Sequence, residues 1–213
     1  MKRRILSVFL LGVLLQGAGG AAGAQMLHRA YIAGFPDGTL RAEAALSREQ
    51  LAVCLYRLAG EPEGAESAFF DVPRSRWSYR AVSFAAAEGF LPGEADGLYE
   101  PARAVSGEEL ASVFERMAYT EAGNARFFLQ ELPDADEQEA LSRLQSVSRG
   151  GFAARMNGLL GRENETADGF LCGARSFSDA AEPATPELCA LWEAANDHTY
   201  EKTGTGESWT GLG

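Results

Sequence analysis

Residues 34–59, GFPDGTLRAEAALSREQLAVCLYRLA, and residues 93–118, GEADGLYEPARAVSGEELASVFERMA, follow one plan. Each has Asp-Gly, a Leu or aromatic two residues beyond the Gly, a hydrophobe nine residues after the Asp, then Ser and an apolar-periodic run. The second half of the plan returns at 147–161 as VSRGGFAARMNGLLG. Such repetition governs the fold, because each copy is one supersecondary unit that needs neighbours to bury its apolar face.

The local chemistry of the plan is that of a capped helix. Ser47 and Ser106 are followed three residues later by Gln50 and Glu109, so each pair forms a capping box. Ser148 can cap, but Gly151 has no side chain to answer it. Beyond the caps, Leu51, Cys54, Leu55 and Leu58, then Leu110, Val113, Phe114 and Met117, then Phe152, Met156 and Leu159 fall at helical spacing. Three helices of about four turns are predicted. A second helix type is predicted over 77–88, ended by Gly89, with relatives within 123–145 and at 186–197. There Thr185 caps and Pro186 takes the first helical position.

The order in FFDVPRSRWSYRAVSFAAAEGFLPGEADGLYEPARAVSGEEL, residues 69–110, resembles the unit of the S-layer homology domain. The resemblance extends over about residues 30–200, with partial matches in the first and third copies. It implies a mainly α domain with short turns or strands between paired helices, and the count of three helices of each type, displaced by half a unit, predicts a closed pseudo-threefold arrangement. On that reading the domain spans 25–200, with units at about 28–60, 68–119 and 120–162 and a closing half-unit at 176–200. The closing half supplies the helix that the first unit lacks, and residues 201–213 read as a polar Gly-rich tail.

The resemblance also implies a function. Such modules hold cell-wall polysaccharide in grooves between units, a pyruvylated secondary polymer or peptidoglycan being the expected partner. An Arg at the start of the capped helix is implicated, and a guanidinium beside free amides suits a carboxylate. This motif is present as Ser47-Arg48-Glu49 and as Ser148-Arg149, with Gly150 for the acid, while Gly107 replaces the Arg in the second copy. Asp37 and Gly38 suit a tight turn and stand as further ligand candidates. Trp77 offers either a sugar-stacking face or core packing.

Lys2-Arg3-Arg4, the apolar run from Ile5 to Leu15 and Ala22-Gly23-Ala24 predict a signal peptide over 1–24. The expected product is secreted, without membrane insertion after cleavage, and held at a bacterial cell wall or surface. Loss of the three leader cations takes the net charge from −11 to −14, which opposes a nucleic-acid partner. Of three cysteines, Cys172 and Cys189 are the expected pair and Cys54 a buried thiol. The only histidines, His28 and His198, lack the spacing of a zinc motif, so no metal or cofactor is expected. No catalytic motif is present and no enzyme is predicted. The alternative reading is an acidic envelope scaffold that binds a protein partner, its glycan grooves decayed.

Overall fold

The computed structural model describes residues 26–119, 127, 129, 133–162, 174–180, 185–203 and 206–213. The expected leader and Cys172 lie outside the described residues. Within them the chain runs β1 (Met26–His28), α1 (Arg48–Leu58), α2 (Tyr79–Ala87), α3 (Gly107–Tyr119), α4 (Ala135–Ser142), α5 (Arg149–Leu160), α6 (Pro186–Ala195), β2 (His198–Thr203) and β3 (Gly206–Leu212). No helix among these residues is long and apolar enough to cross a membrane.

The three Ser-capped helices form where the sequence places them. Ser47 and Ser106 make full capping boxes, whereas Ser148 accepts from the Gly151 amide without a return bond. The helices are 11, 13 and 12 residues long, shorter than expected by under a turn. Their apolar faces, including Leu51, Leu110, Val113, Phe152 and Met156, are buried in one core. Thr185 caps α6 above Pro186, and α2 ends before Gly89 at φ 70°. Ser78 starts α2 without capping it, because its hydroxyl donates to Glu49 Oε2 at 2.6 Å.

Three hydrophobes, each immediately before one of these Ser residues, meet at the centre. Leu46 N–H donates to Val147 O at 2.8 Å, Val147 to Val105 at 3.0 Å, and Val105 back to Leu46 at 2.8 Å. The ring is closed and all three side chains are buried. Main-chain groups this deep must be paired, and here each segment satisfies its neighbour.

The final helix stands to the first turn as α2 stands to the second. Tyr31 and Ile32 amides donate to Ala194 O, as Phe90 and Leu91 amides donate to Ala85 O. Asp179 carboxylate oxygens accept from Leu40 and Arg41 amides at 2.7 and 2.8 Å; those of Asp71 accept from Tyr99 and Glu100 at 2.9 and 2.7 Å. Phe177 and Phe69 each lie where a side chain on Gly34 or Gly93 would project, so both glycines are required by close packing.

Residues 201–213 are not a tail. Strands β2 and β3 pair antiparallel, and β1 adds to the other edge of β2 to give the order β1-β2-β3. The composition is polar because one face meets solvent; Glu207 and Trp209 alternate inward and are buried.

The bonds from 176–213 to the first turn make a strong prediction. A chain ending at Arg175 should lose its cooperative unfolding transition in calorimetry, and an unchanged Tm would contradict closure. Within the full chain, Asp179→Ala should cost roughly 1–3 kcal/mol, since two amides lose a charged acceptor. Slight burial would raise the Asp179 carboxyl, but the two amides hold it below the ordinary range. Its contribution should therefore be complete above about pH 4 and fade only as acid titrates the folded carboxylate.

Candidate functional site

The first amides of α1 and α5 are not free for an anion. Arg48 and Glu49 amides donate to Arg103 O and Pro101 O at 2.9 and 3.0 Å; Arg149 and Gly150 amides donate to Ala44 O and Ala42 O, both at 2.9 Å. The central ring brings each helix start against another unit's turn, and carbonyls there take up the unpaired donors of the helix start.

The motif arginines follow their amides inward. Arg48 is 2% exposed; Nε donates to Tyr99 O at 2.8 Å, Nη2 to Pro92 O at 2.7 Å, and Nη1 pairs with Glu109. Arg149, 3% exposed, donates from Nε to Leu40 O at 2.8 Å and from Nη2 to Ala33 O at 2.9 Å. Leu40 and Tyr99 hold the same place in the repeat, as do Ala33 and Pro92. Arg48 thus clasps the turn at 92–99 and Arg149 the turn at 33–40, and the planar fork suits two carbonyls at once. Burial would raise the Glu109 carboxyl, but Arg103, the Ser106 amide and Arg48 outweigh it and hold it low.

At Gly107 the arrangement differs for a steric reason. A Cβ there would stand 1.9 Å from Leu141 O, and the Gly107 amide donates to Leu144 O at 2.8 Å. The end of α4 and the residues just after it fill the space an arginine would need. Gly150 likewise faces Glu187 Cβ, 2.9 Å from where its own Cβ would be, so the missing acid has no room.

Glu49 links the first helix start to an open surface. Its carboxylate receives Arg76 in a two-pronged pair, Nε to Oε2 at 2.8 Å and Nη2 to Oε1 at 2.9 Å. The pair fixes Arg76 at the rim of a groove of about 330 Å³ between α1 and the start of α2. Tyr56, Arg57, Trp77, Tyr79 and Arg80 line it as well. A neighbouring hollow of about 440 Å³ shares Tyr56, Arg74, Tyr79 and Arg80. Trp77 is 66% exposed, so it is not a core residue. Arg57 and Arg80 have no hydrogen bond or carboxylate in pairing range among the described residues, whereas Arg74 makes an exposed pair with Glu66 at 2.7 Å.

The sequence candidates therefore do not converge. Glu49 and Trp77 meet through Arg76. Ser148 borders a separate groove of about 290 Å³ with Glu43, Ser146 and Arg155. Ser47 is occupied by its capping box. Asp37 and Gly38 form their turn: the carboxylate accepts from Thr39 N and Arg41 Nη2, and Gly38 adopts φ 79°. The Thr39 hydroxyl, donating to the same carboxylate at 2.6 Å, does most to hold the exposed Asp37 carboxyl down at about 2, followed by Arg41 and the Thr39 amide. Arg57, Arg74, Arg76, Arg80, Tyr56 and Tyr79 were not singled out by the sequence. The interleaving of Arg with aromatics in RSRWSYR, 74–80, is the signal that marks them.

Comparison with known proteins fits this region. Residues 68–111, which contain Arg74, Arg76, Trp77 and Arg80, match the family model of the S-layer homology domain. Cell surface glycoprotein 1 of Acetivibrio thermocellus is 37% identical over 98 residues, covering 44% of this chain and 4% of that protein. The Cellulosome-anchoring protein of the same organism is 25% identical over 91 residues, 40% of this chain and 20% of its own length. The chain thus corresponds to a small part of either relative.

A clasp and a ligand contact respond differently to mutation. Arg48→Ala should destabilise the full chain by roughly 2–4 kcal/mol in urea unfolding, because buried acceptors lose a charged donor. Arg48→Lys should recover little of it. Gly107→Ala should cost about 1–3 kcal/mol or more through the clash with Leu141 O. An Arg48→Ala protein within about 0.5 kcal/mol of wild type, as at an ordinary surface site, would contradict the clasp.

Proposed function

We propose that this protein is a non-catalytic cell-surface module that holds an acidic wall glycan along the groove between α1 and α2. One observation carries the reading: an exposed Trp77 lines a groove edged by four arginines against one acid, Glu61, in a chain of net charge −11. An indole face packs against the apolar face of a sugar ring while its N–H stays wet. Arg57 and Arg80 supply fork-shaped donors for a carboxylate such as a pyruvate ketal or uronate. Arg76, held by Glu49, is already paired and serves to shape the rim.

The S-layer homology match and two relatives named for the cell surface and for anchoring support an envelope location. On this reading the chain is exported and sits at a bacterial wall. The ring of hydrogen bonds, the paired roles of Asp71 and Asp179 and the alternation of helix types support a closed pseudo-threefold domain in which repeats were copied and then diverged. Arg48 and Arg149 act in this reading as fold-holding residues, because they clasp buried carbonyls of turns that lie outside the groove. The obstructed site at Gly107 supports loss of function in one of the inter-unit grooves.

Sedimentation with purified wall sacculi tests the reading. Trp77→Ala and the double variant Arg57→Ala/Arg80→Ala should each weaken binding about tenfold or more, the loss of a hot-spot contact. Raised salt should weaken the wild type further. Variants that sediment like wild type would remove the groove from the account. If no form binds sacculi, the glycan reading fails and the acidic scaffold with a protein partner replaces it.

A further inference from the structure

The three-stranded sheet covers a second cluster, at the two ends of the described chain and away from the groove. His28 and His198 are paired residues of β1 and β2, and Glu193 rises from the last turn of α6 beneath them. His28 Nδ1 lies 3.1 Å and His198 Nε2 2.9 Å from the same oxygen, Glu193 Oε1. A further carboxylate oxygen, Glu207 Oε2, stands 3.4 Å from His28 Nδ1. The ligating atoms of His28, Glu193 and His198 all fall within 4.8 Å of one another, and all three residues are buried.

The hydrogen bonding of this cluster is incomplete. His198 Nδ1 is 2.9 Å from Asn196 O, a carbonyl that only accepts, so that nitrogen carries the proton. In the neutral ring Nε2 is then a lone pair, and it faces a carboxylate oxygen at 2.9 Å with no hydrogen bond. Both oxygens of Glu207, 4% exposed, are also without a hydrogen bond; Lys202 Nζ is 2.9 Å from Oε1 but off the bonding direction. Lone pairs facing one another in a buried space require a cation between them. One proton on His198 would answer the Glu193 contact, and Lys202 stands by Glu207 Oε1, which leaves Glu207 Oε2 facing His28 Nδ1; a divalent ion answers Glu193 and that oxygen together.

We propose that His28 Nδ1, His198 Nε2 and Glu193 Oε1 form a zinc site, with the Glu207 carboxylate beside it as a fourth oxygen donor. Zinc bonds to nitrogen and oxygen of about 2.0–2.1 Å imply tetrahedral ligand edges of roughly 3.3 Å, close to the separations that the side chains already hold. Mixed imidazole and carboxylate donors suit zinc over calcium or magnesium. The outer contacts are those that a metal site needs. Asn196 O fixes the His198 tautomer, Trp209 Nε1 donates to Glu193 Oε2 at 2.7 Å, His198 stacks on Trp209 at 4.0 Å between centroids, and His28 lies tilted by 30° against Tyr200 at 3.9 Å. Such a site would pin the first described strand and the last one to α6, where the chain closes on itself. It is independent of the glycan reading.

Metal content decides the matter. The full chain, stripped with chelator and dialysed against Zn²⁺, should retain about one ion per chain and gain several degrees in Tm. With Co²⁺ it should show the intense visible absorption of a four-coordinate centre, which weak binding to surface acids does not give. His198→Gln should lose the ion and the absorption, while the exposed-surface control Glu115→Gln keeps both. Should His198→Gln fail to fold, the wild-type cobalt spectrum still decides. No stoichiometric zinc and no cobalt band in the wild type would overturn the proposal.

Discussion

The structure depends on three main-chain hydrogen bonds that join Leu46, Val105 and Val147 into a closed ring. Buried peptide groups must be paired, and no single segment here can pair itself, so three distant stretches have to arrive together. Because each stretch runs directly into a Ser-capped helix, the ring also fixes where three helices begin and what they face. Their first amides point at a neighbouring turn rather than at solvent, and the arginine that follows Ser47 or Ser148 is carried in with them. The clasp by Arg48 of Tyr99 O and Pro92 O, and by Arg149 of Leu40 O and Ala33 O, is therefore a consequence of the ring's geometry.

That geometry separates residues which hold the fold from residues free to meet a ligand. A guanidinium committed to two buried carbonyls has few donors left, whereas those of Arg57 and Arg80 are open at the groove. Glu49 connects the two regions: it sits at the start of α1 and orients both Arg76 and Ser78, which flank Trp77. The exposed indole is thus held at the edge of a region whose positions are set from the core outward.

Helices and turns were legible because their causes are local. Ser47 with Gln50, Ser106 with Glu109 and Thr185 with Pro186 mark helix starts by short-range chemistry, and Asp-Gly marks the turns. The fate of Arg48 was not legible, since a first-turn arginine reads alike whether it faces solvent or the next unit. Trp77 was ambiguous for the same reason. The β2-β3 hairpin was hidden by Gly, Ser and Thr, although Glu207, Trp209 and Gly211 alternate with Ser208 and Thr210 at strand period. His28 and His198 carry no short spacing, and only strand pairing puts them side by side.

The account turns on the division between buried clasp and exposed groove, and an NMR titration with soluble wall-polysaccharide fragments addresses both sides at once. The Trp77 indole N–H and the Arg80 Nε–H should shift as fragments are added, while the Nε–H signals of Arg48 and Arg149 stay in place. Shifts centred on Arg48 and Arg149, with Trp77 silent, would contradict it.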